Sequence, residues 1–259
     1  MVARSIGLGE PGTLVFTSGG TEANQLALGG TGRTRVVRAA IEHDSVREAT
    51  AGAIEIPVEP SGTVDLAALA ALLVGDDVPT LVSVMAANNE TGVIQPIAEI
   101  VRLAHGVGAL VHCDAIQAIG KIDFDMTELG IDLVSLSAHK LGGPPGIGAL
   151  AVAPGVALTA RQRGGGQERG LRAGTENLSG IAGFAAAIEA AIAELDVYGE
   201  LAALRDAMER ELRSIEPDAV FFGADRARLP NTSCVALTGT SSEVQVMALD
   251  LAGIAVSAG

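Results

Sequence analysis

The sequence predicts an α/β protein: a mostly parallel central sheet covered by helices, followed by a partial small α+β domain at the C-terminal end. Three observations lead there. Short β-branched or apolar runs alternate with stretches of helical spacing along the chain. Those runs are almost continuously apolar, as strands covered on both faces must be. And 48% hydrophobic residues over 259 positions suffice for a full core. At about 150 residues per domain the chain holds roughly one to two domains; the pattern places the larger at 1–196 and the smaller at 197–259.

The expected strands are the runs near 13–17, 35–39 (RVVRA), 80–85 (TLVSVM), 109–113 (ALVHC), 133–137 (LVSLS) and the GALAVA run after Ile147. Between them, Pro96 to Gly106 is a clear helix: proline suits the first turn, and Ile97, Ile100, Val101 and Ala104 share one face. The Gly-rich, charged stretch from Arg161 to Asn177 reads as a function-bearing loop. Ala-rich helices are expected near 178–196 and 199–214, short strands near 219–222 and 233–237, a helix near 242–252 and a last strand near 254–257. No internal repeat interrupts this order.

Lys+Arg 17 against Asp+Glu 31 gives a net charge of −14, which repels nucleic acid and anionic membrane surfaces alike. The longest uncharged stretch, Leu141 to Ala160, is broken by Pro144, Pro145 and Pro154 and does not read as a membrane span. The N-terminal residues lack the apolar core and cleavage site of a signal peptide, so a cytoplasmic protein is expected. Two cysteines, Cys113 and Cys234, make neither a disulfide framework nor a zinc site and read as small buried residues.

Several strand ends carry chemistry. Ser137-Ala138-His139-Lys140 closes a buried strand and runs into Leu141-Gly142-Gly143-Pro144-Pro145. A lysine at the carboxyl end of such a strand can attack a carbonyl if partly desolvated, although most lysines in such places are simply solvated. Upstream, His112 and Asp114 lie two apart on a strand and share a face. Asp114 could hold a proton on a pyridine nitrogen or cap a turn; His112 reads as a satisfied core histidine. Thr17-Ser18-Gly19-Gly20-Thr21-Glu22-Ala23-Asn24 follows a strand and opens a helix. Gly20 permits close backbone approach and Thr21 offers a hydroxyl at the positive helix end, which makes a phosphate cup or an ordinary capped helix. His43, in Ile41-Glu42-His43-Asp44-Ser45, could stack on a flat ring or move protons, and Asn89, in Asn88-Asn89-Glu90-Thr91-Gly92, could bond a phenolic oxygen or a carboxylate; either loop could also be turn chemistry. A phosphate cup, a pyridine-facing aspartate and a carbonyl-capturing lysine after strands of one sheet is the combination pyridoxal phosphate needs.

The segments SGGTEAN, IEHDSV, NNETG, HCDAIQAIGK, SAHKLGGPPGIG and GGGQERGLRAGTEN, in this order, resemble the cysteine desulfurases of the class V aminotransferase fold. The resemblance covers essentially the whole chain and implies a fold-type I, pyridoxal 5'-phosphate-dependent transferase. It implies Lys140 as the lysine that binds the cofactor covalently, Asp114 on the pyridine nitrogen, Gln117 near the phenolic oxygen and His43 on the ring. Gly20, Thr21, Ser137 and His139 would form the phosphate site, and Asn89 would touch cofactor and substrate. Thr175 resembles a residue that reaches the phosphate held by a neighbouring subunit, which implies a homodimer with shared sites. The implied reaction converts L-cysteine to L-alanine and passes sulfur to an enzyme cysteine as a persulfide. It would serve iron–sulfur cluster or thio-cofactor biosynthesis, with a sulfur acceptor or cluster scaffold as protein partner.

Two departures stand beside the resemblance. The family's nucleophile lies in a Ser-Ala-Gly-Ser-Ala-Cys type of segment, and the sequence ends at Ser257-Ala258-Gly259. It also begins without the family's Asp-Asn-Ala-Ala-Thr-Thr type of motif. A chain shortened at both ends is therefore expected, and neither Cys113 nor Cys234 matches the place of the nucleophile. The alternatives to a desulfurase are a non-catalytic paralogue or fragment that binds cofactor or partner, and a selenocysteine lyase or other class V lyase or aminotransferase.

Overall fold

The computed structural model describes residues 1–75 and 78–258; Gly259 of the terminal segment lies outside them. Seven strands form the main sheet: β1 Thr13–Thr17, β2 Arg35–Ala39, β3 Ile54–Ile56, β4 Thr80–Ser83, β5 Leu110–Asp114, β6 Leu133–Ser137 and β7 Gly148–Val152, in spatial order β1-β7-β6-β5-β4-β2-β3. Strands β3, β2, β4, β5 and β6 pair in parallel, and β7 pairs antiparallel with both β6 and β1. Two reversals cancel, so β1 points the same way as β6 and β7 alone among the described strands of this sheet runs backwards. The carboxyl ends of β1, β2, β4, β5 and β6 therefore open on one edge.

Helices cover both faces, as the continuous apolar strands require. Helix α1 is Val2–Ser5, α2 Gly20–Gly30, α3 Asp44–Arg47, α4 Leu66–Leu73 and α5 Ile97–His105. On one face Ala23, Leu26 and Ala27 of α2 meet Val15, Leu81, Leu133 and Leu150 of the sheet. On the other, Ile97, Ile100, Val101 and Ala104 of α5 join Val82, Val111 and Val134, together with Phe184 and Ile188 of α6, Leu178–Ala193. At full burial each such large aliphatic or aromatic side chain contributes about 1.5–3 kcal/mol. The α5 stripe is the one its sequence spacing predicts, and Pro96 sits at the cap instead of inside the first turn.

The remainder is more sparsely packed. Helices α7 (Leu195–Gly199), α8 (Leu201–Ile215) and α9 (Ser242–Leu251) accompany a two-stranded antiparallel ribbon, β8 Val220–Phe221 with β9 Val235–Ala236. Three details differ from expectation. Strand β3 has a single buried residue, Ile56, and so offered no apolar run to find. The helix expected over 178–196 breaks at Glu194, between α6 and α7. No strand forms over 254–257: Ile254 and Val256 are exposed, and no neighbouring strand takes up their backbone groups. Among the described residues, no single helix is long and apolar enough to cross a membrane.

Candidate active site

The parallel register explains why distant segments meet. Ser135 of β6 lies opposite Asp114 of β5, and across β7 both Thr17 and Ser137 lie opposite Gly148. The loops leaving these strands line one cavity of about 430 Å³, walled by Gly20, Thr21, His43, Asn89, Asp114, Gln117, Ser137, His139 and Lys140, together with Ser45, Met85, Ala87, Glu90 and Ile116. Nine of the ten residues nominated from the sequence are in that wall. Thr175 is the exception: it is exposed on the loop before α6, outside the cavity.

Each wall residue is placed by local rules. Lys140 belongs to a 3₁₀ turn, Ala138–Leu141, that β6 feeds directly. Gly142 closes it at φ +83°, a left-handed conformation that side chains disfavour, and Gly143 N–H donates to Ala138 O at 2.9 Å. Among the described residues Lys140 Nζ has no hydrogen-bond partner. Ser137 Oγ and His139 Nδ1 lie 2.9 Å apart at the same strand end. Gly148 has no side chain for a steric reason: a Cβ there would come 2.6 Å from the carbonyl carbon of Gly19. The backbone of β7 thus supports the Gly19-Gly20 turn from beneath. A methyl group on Gly20 would clash with Ile116, whereas one on Gly19 would meet open space.

Two long ties fix the cup. Glu22 accepts from Ser18 N–H at 2.7 Å and from Arg172 Nε and Nη2 at 2.8 and 3.3 Å, joining the start of α2 to the Gly-rich loop. Burial raises the Glu22 carboxyl, but Arg172 and Ser18 outweigh it and hold it below its ordinary value. Glu168, in the left-handed region at φ 46°, accepts from Phe16 N–H of edge strand β1 at 3.0 Å.

Asp114 is buried; Oδ2 accepts from Asn24 Nδ2 at 2.8 Å and Oδ1 from Ile116 N–H at 3.0 Å. Burial raises its carboxyl above the usual range, against the opposing pull of Asn24, Ile116 N–H and His43. Glu42, within range of the Asp114 charge, is buried too, accepting from Met85 N–H at 2.7 Å; burial and then that charge push it well up. His43 caps α3, its Nδ1 accepting from Ser45 N–H at 3.0 Å. Gln117 Oε1 accepts from Lys121 Nζ at 2.6 Å, and burial, then the charge of Lys140, lowers the Lys121 amine to about 8. In Asn88-Asn89-Glu90-Thr91-Gly92 the labour divides: Asn88 Oδ1 builds the turn, accepting from Glu90 N–H and Thr91 N–H at 3.0 and 2.9 Å, and Asn89 faces the cavity. His112 is the core residue its setting suggested, with Nδ1 and Nε2 each 2.9 Å from a serine hydroxyl, of Ser83 and Ser135. Burial lowers it to about 3.

Sequence reasoning passed over Asn24, Ser45, Lys121 and Glu42 as supporting groups. Asn24 could have been found, since it lies one helical turn after Thr21 and shares its side of α2. Lys121 and Gln117 are four apart, a comparably short separation.

The family model for aminotransferase class V matches residues 1–259. A cysteine desulfurase of Cereibacter sphaeroides is 41% identical over 271 aligned residues, covering all of this chain and 69% of the relative. The cysteine desulfurase NifS of Azotobacter vinelandii is 38% identical, covering all of this chain and 67% of the relative. The chain belongs to the cysteine desulfurases. An X-ray structure of a NifS-like protein from Rickettsia africae ESF-5 superposes with a TM-score of 0.93 at 34% identity, over all of this chain and 74% of that one. This chain thus spans about two thirds to three quarters of the length of these relatives.

Cysteine desulfurases depend on pyridoxal phosphate, and the cavity of this desulfurase chain fits it. Gly20 and Thr21 line the cavity at the positive end of the eleven-residue α2, with the Ser137 and His139 side chains in the same wall, a donor set suited to a phosphate. Asp114 supplies an acceptor held on both oxygens, Lys140 an amine, and His43 a flat ring. Neither cysteine lines this cavity. Burial, then Asp114 and Glu42, push the Cys113 thiol well up; burial, then Glu90, raises Cys234. Both are poor thiolates.

Proposed function

We propose that the residues of this cavity carry out the cofactor-dependent half of cysteine desulfuration, taking L-cysteine to L-alanine. The observation that carries the reading is the convergence of Thr21, His43, Asn89, Asp114, Gln117, Ser137, His139 and Lys140 on one sheet edge from five separate strand ends. Pyridoxal phosphate, when bound, supplies the electron sink that allows bonds at an amino acid's α- and β-carbons to break.

The chain's own groups do the rest. Thr21, Ser137, His139 and the backbone at Gly20 anchor the phosphate. Asp114, immobilised by Asn24 and Ile116 N–H, keeps a proton on the pyridine nitrogen through a charge-assisted hydrogen bond. Gln117, its Oε1 taken by Lys121, turns its amide N–H groups to an acceptor such as the phenolic oxygen. His43 would lie against the ring, and Asn89 would bond cofactor or substrate. Lys140 Nζ would hold the cofactor and is the amine placed to move the proton at the substrate α-carbon. The sulfur passes to a thiol other than Cys113 and Cys234. We further propose a homodimer in which the exposed Thr175 reaches the partner's phosphate site, and a sulfur acceptor or scaffold as downstream partner.

The test is purification with pyridoxal phosphate, a visible spectrum, borohydride trapping and addition of L-cysteine with measurement of alanine and sulfide. A yellow protein with cofactor trapped on Lys140 is expected, and Lys140→Ala abolishes both colour and trapping. A colourless wild type, or trapping that survives Lys140→Ala, overturns the assignment.

A further inference from the structure

Four polar side chains around the cavity are joined end to end. Asn24 Nδ2 donates to Asp114 Oδ2 at 2.8 Å and to Ser45 Oγ at 2.8 Å. Ser45 Oγ lies 2.8 Å from His43 Nδ1, which also accepts from Ser45 N–H at 3.0 Å. Asn24, Ser45 and Asp114 are buried, and His43, Ser45 and Asp114 line the cavity wall.

The direction of every link follows from what each group can do. A backbone amide can only donate, so His43 Nδ1 is an acceptor. Asn24 must point its NH₂ at both neighbours, because the opposite orientation would set its carbonyl oxygen against the Asp114 carboxylate. With Asn24 donating to its oxygen, the Ser45 hydroxyl is left to give its hydrogen to Nδ1. Two donors then converge on one imidazole nitrogen, and the neutral ring carries its proton on the other.

We propose that Asn24 and Ser45 are positioning residues of a hydrogen-bond relay from Asp114 to His43, which commits the imidazole to the tautomer protonated at Nε2. The relay makes His43 a donor, not an acceptor, toward whatever the cavity holds. On the desulfurase reading, on which this consequence rests, Nε2–H bonds an anionic substrate group such as a thiolate or carboxylate, and proton removal from the α-carbon stays with Lys140. The relay also ties the Asp114 carboxylate to the His43 ring, so that the two are oriented together.

The tautomer is read directly by two-bond ¹H–¹⁵N correlation spectra of the protein purified with pyridoxal phosphate and labelled with ¹⁵N-histidine. The chain has four histidines, and His43→Gln identifies the His43 signals. The expected pattern is a protonated Nε2 with a hydrogen-bond-accepting Nδ1; a ring protonated mainly at Nδ1 overturns the relay. Ser45→Ala removes one of the two donors, so the Nδ1 resonance moves toward that of a weaker acceptor, and Asn24→Leu moves it the same way by freeing the Ser45 hydroxyl. An Nδ1 resonance unmoved by Ser45→Ala also overturns it. Failure of the two readings is distinguishable: a colourless protein showing Nε2–H supports the relay and sinks the cofactor assignment, whereas a yellow protein showing Nδ1–H does the reverse.

Discussion

Helices α5 and α9 are nearly the same length, nine and ten residues, and both are rich in apolar residues. Helix α5 buries its stripe, Ile97, Ile100, Val101 and Ala104, against the sheet; α9 buries none of its residues, and Val244, Met247 and Leu251 stay exposed. The contrast extends to their surroundings. The sheet is held by apolar packing on both faces, whereas residues 201–236 hang largely on polar anchors. Arg228 donates to both oxygens of the buried Glu209 at 2.7 and 3.0 Å, and Ser233 donates to it at 2.7 Å. Ile94 N–H donates to Ala227 O and Leu229 N–H to Gly92 O, which ties this segment to the turn that carries Asn89. An amphipathic pattern specifies a face, and only a partner surface turns that face into stability.

The largest test of this contrast is Phe184→Ala. Phe184, on the inner side of α6, is fully buried, and its removal costs about 3–5 kcal/mol by urea unfolding; a loss below about 1 kcal/mol would mean that α6 is not part of the sheet's core.

A second test is acid. The unfolded His112 binds a proton below its ordinary 6.5, and the folded one only near 3. Its contribution to stability is therefore full above about pH 6.5 and declines by about 1.4 kcal/mol per pH unit as the pH falls toward 3. His112→Gln removes that share of the acid limb, seen as a smaller difference in unfolding free energy between pH 7 and pH 5; an unchanged difference contradicts it.

The smallest effect belongs to α9. Leu251→Ala, at an exposed position, changes stability by no more than about 0.5 kcal/mol. A loss of 2 kcal/mol would show that this face is covered in solution.

Much of the site was legible because strand ends in parallel α/β sheets share one edge, so chemically unusual residues after apolar runs are brought together whatever their separation. That argument reached Thr21, Asp114 and Lys140, which are 119 positions apart at the extremes. It could not reach β3, where two of three residues are exposed, or the absent strand near 254–257, whose apolar residues look like strand until one asks what they would pair with. Nor could it reach Asn24, Ser45 and Lys121, whose significance is entirely a matter of which atom each one touches.

By itself, the sequence determined the α/β class, the α5 stripe, the glycine turn that opens α2 and the types of group a pyridoxal phosphate site requires, because these follow from local periodicity and from residue chemistry. Only the tertiary structure decided that nine nominated residues share one cavity and that Thr175 does not. It also decided that Asp114 is bonded on both oxygens, that His43 Nδ1 is an acceptor, and that His112 is spent between two serines. The physical reason is that donors, acceptors and charges acquire a role from neighbours within about 3 Å, and those neighbours come from parts of the chain that periodicity alone cannot bring into register.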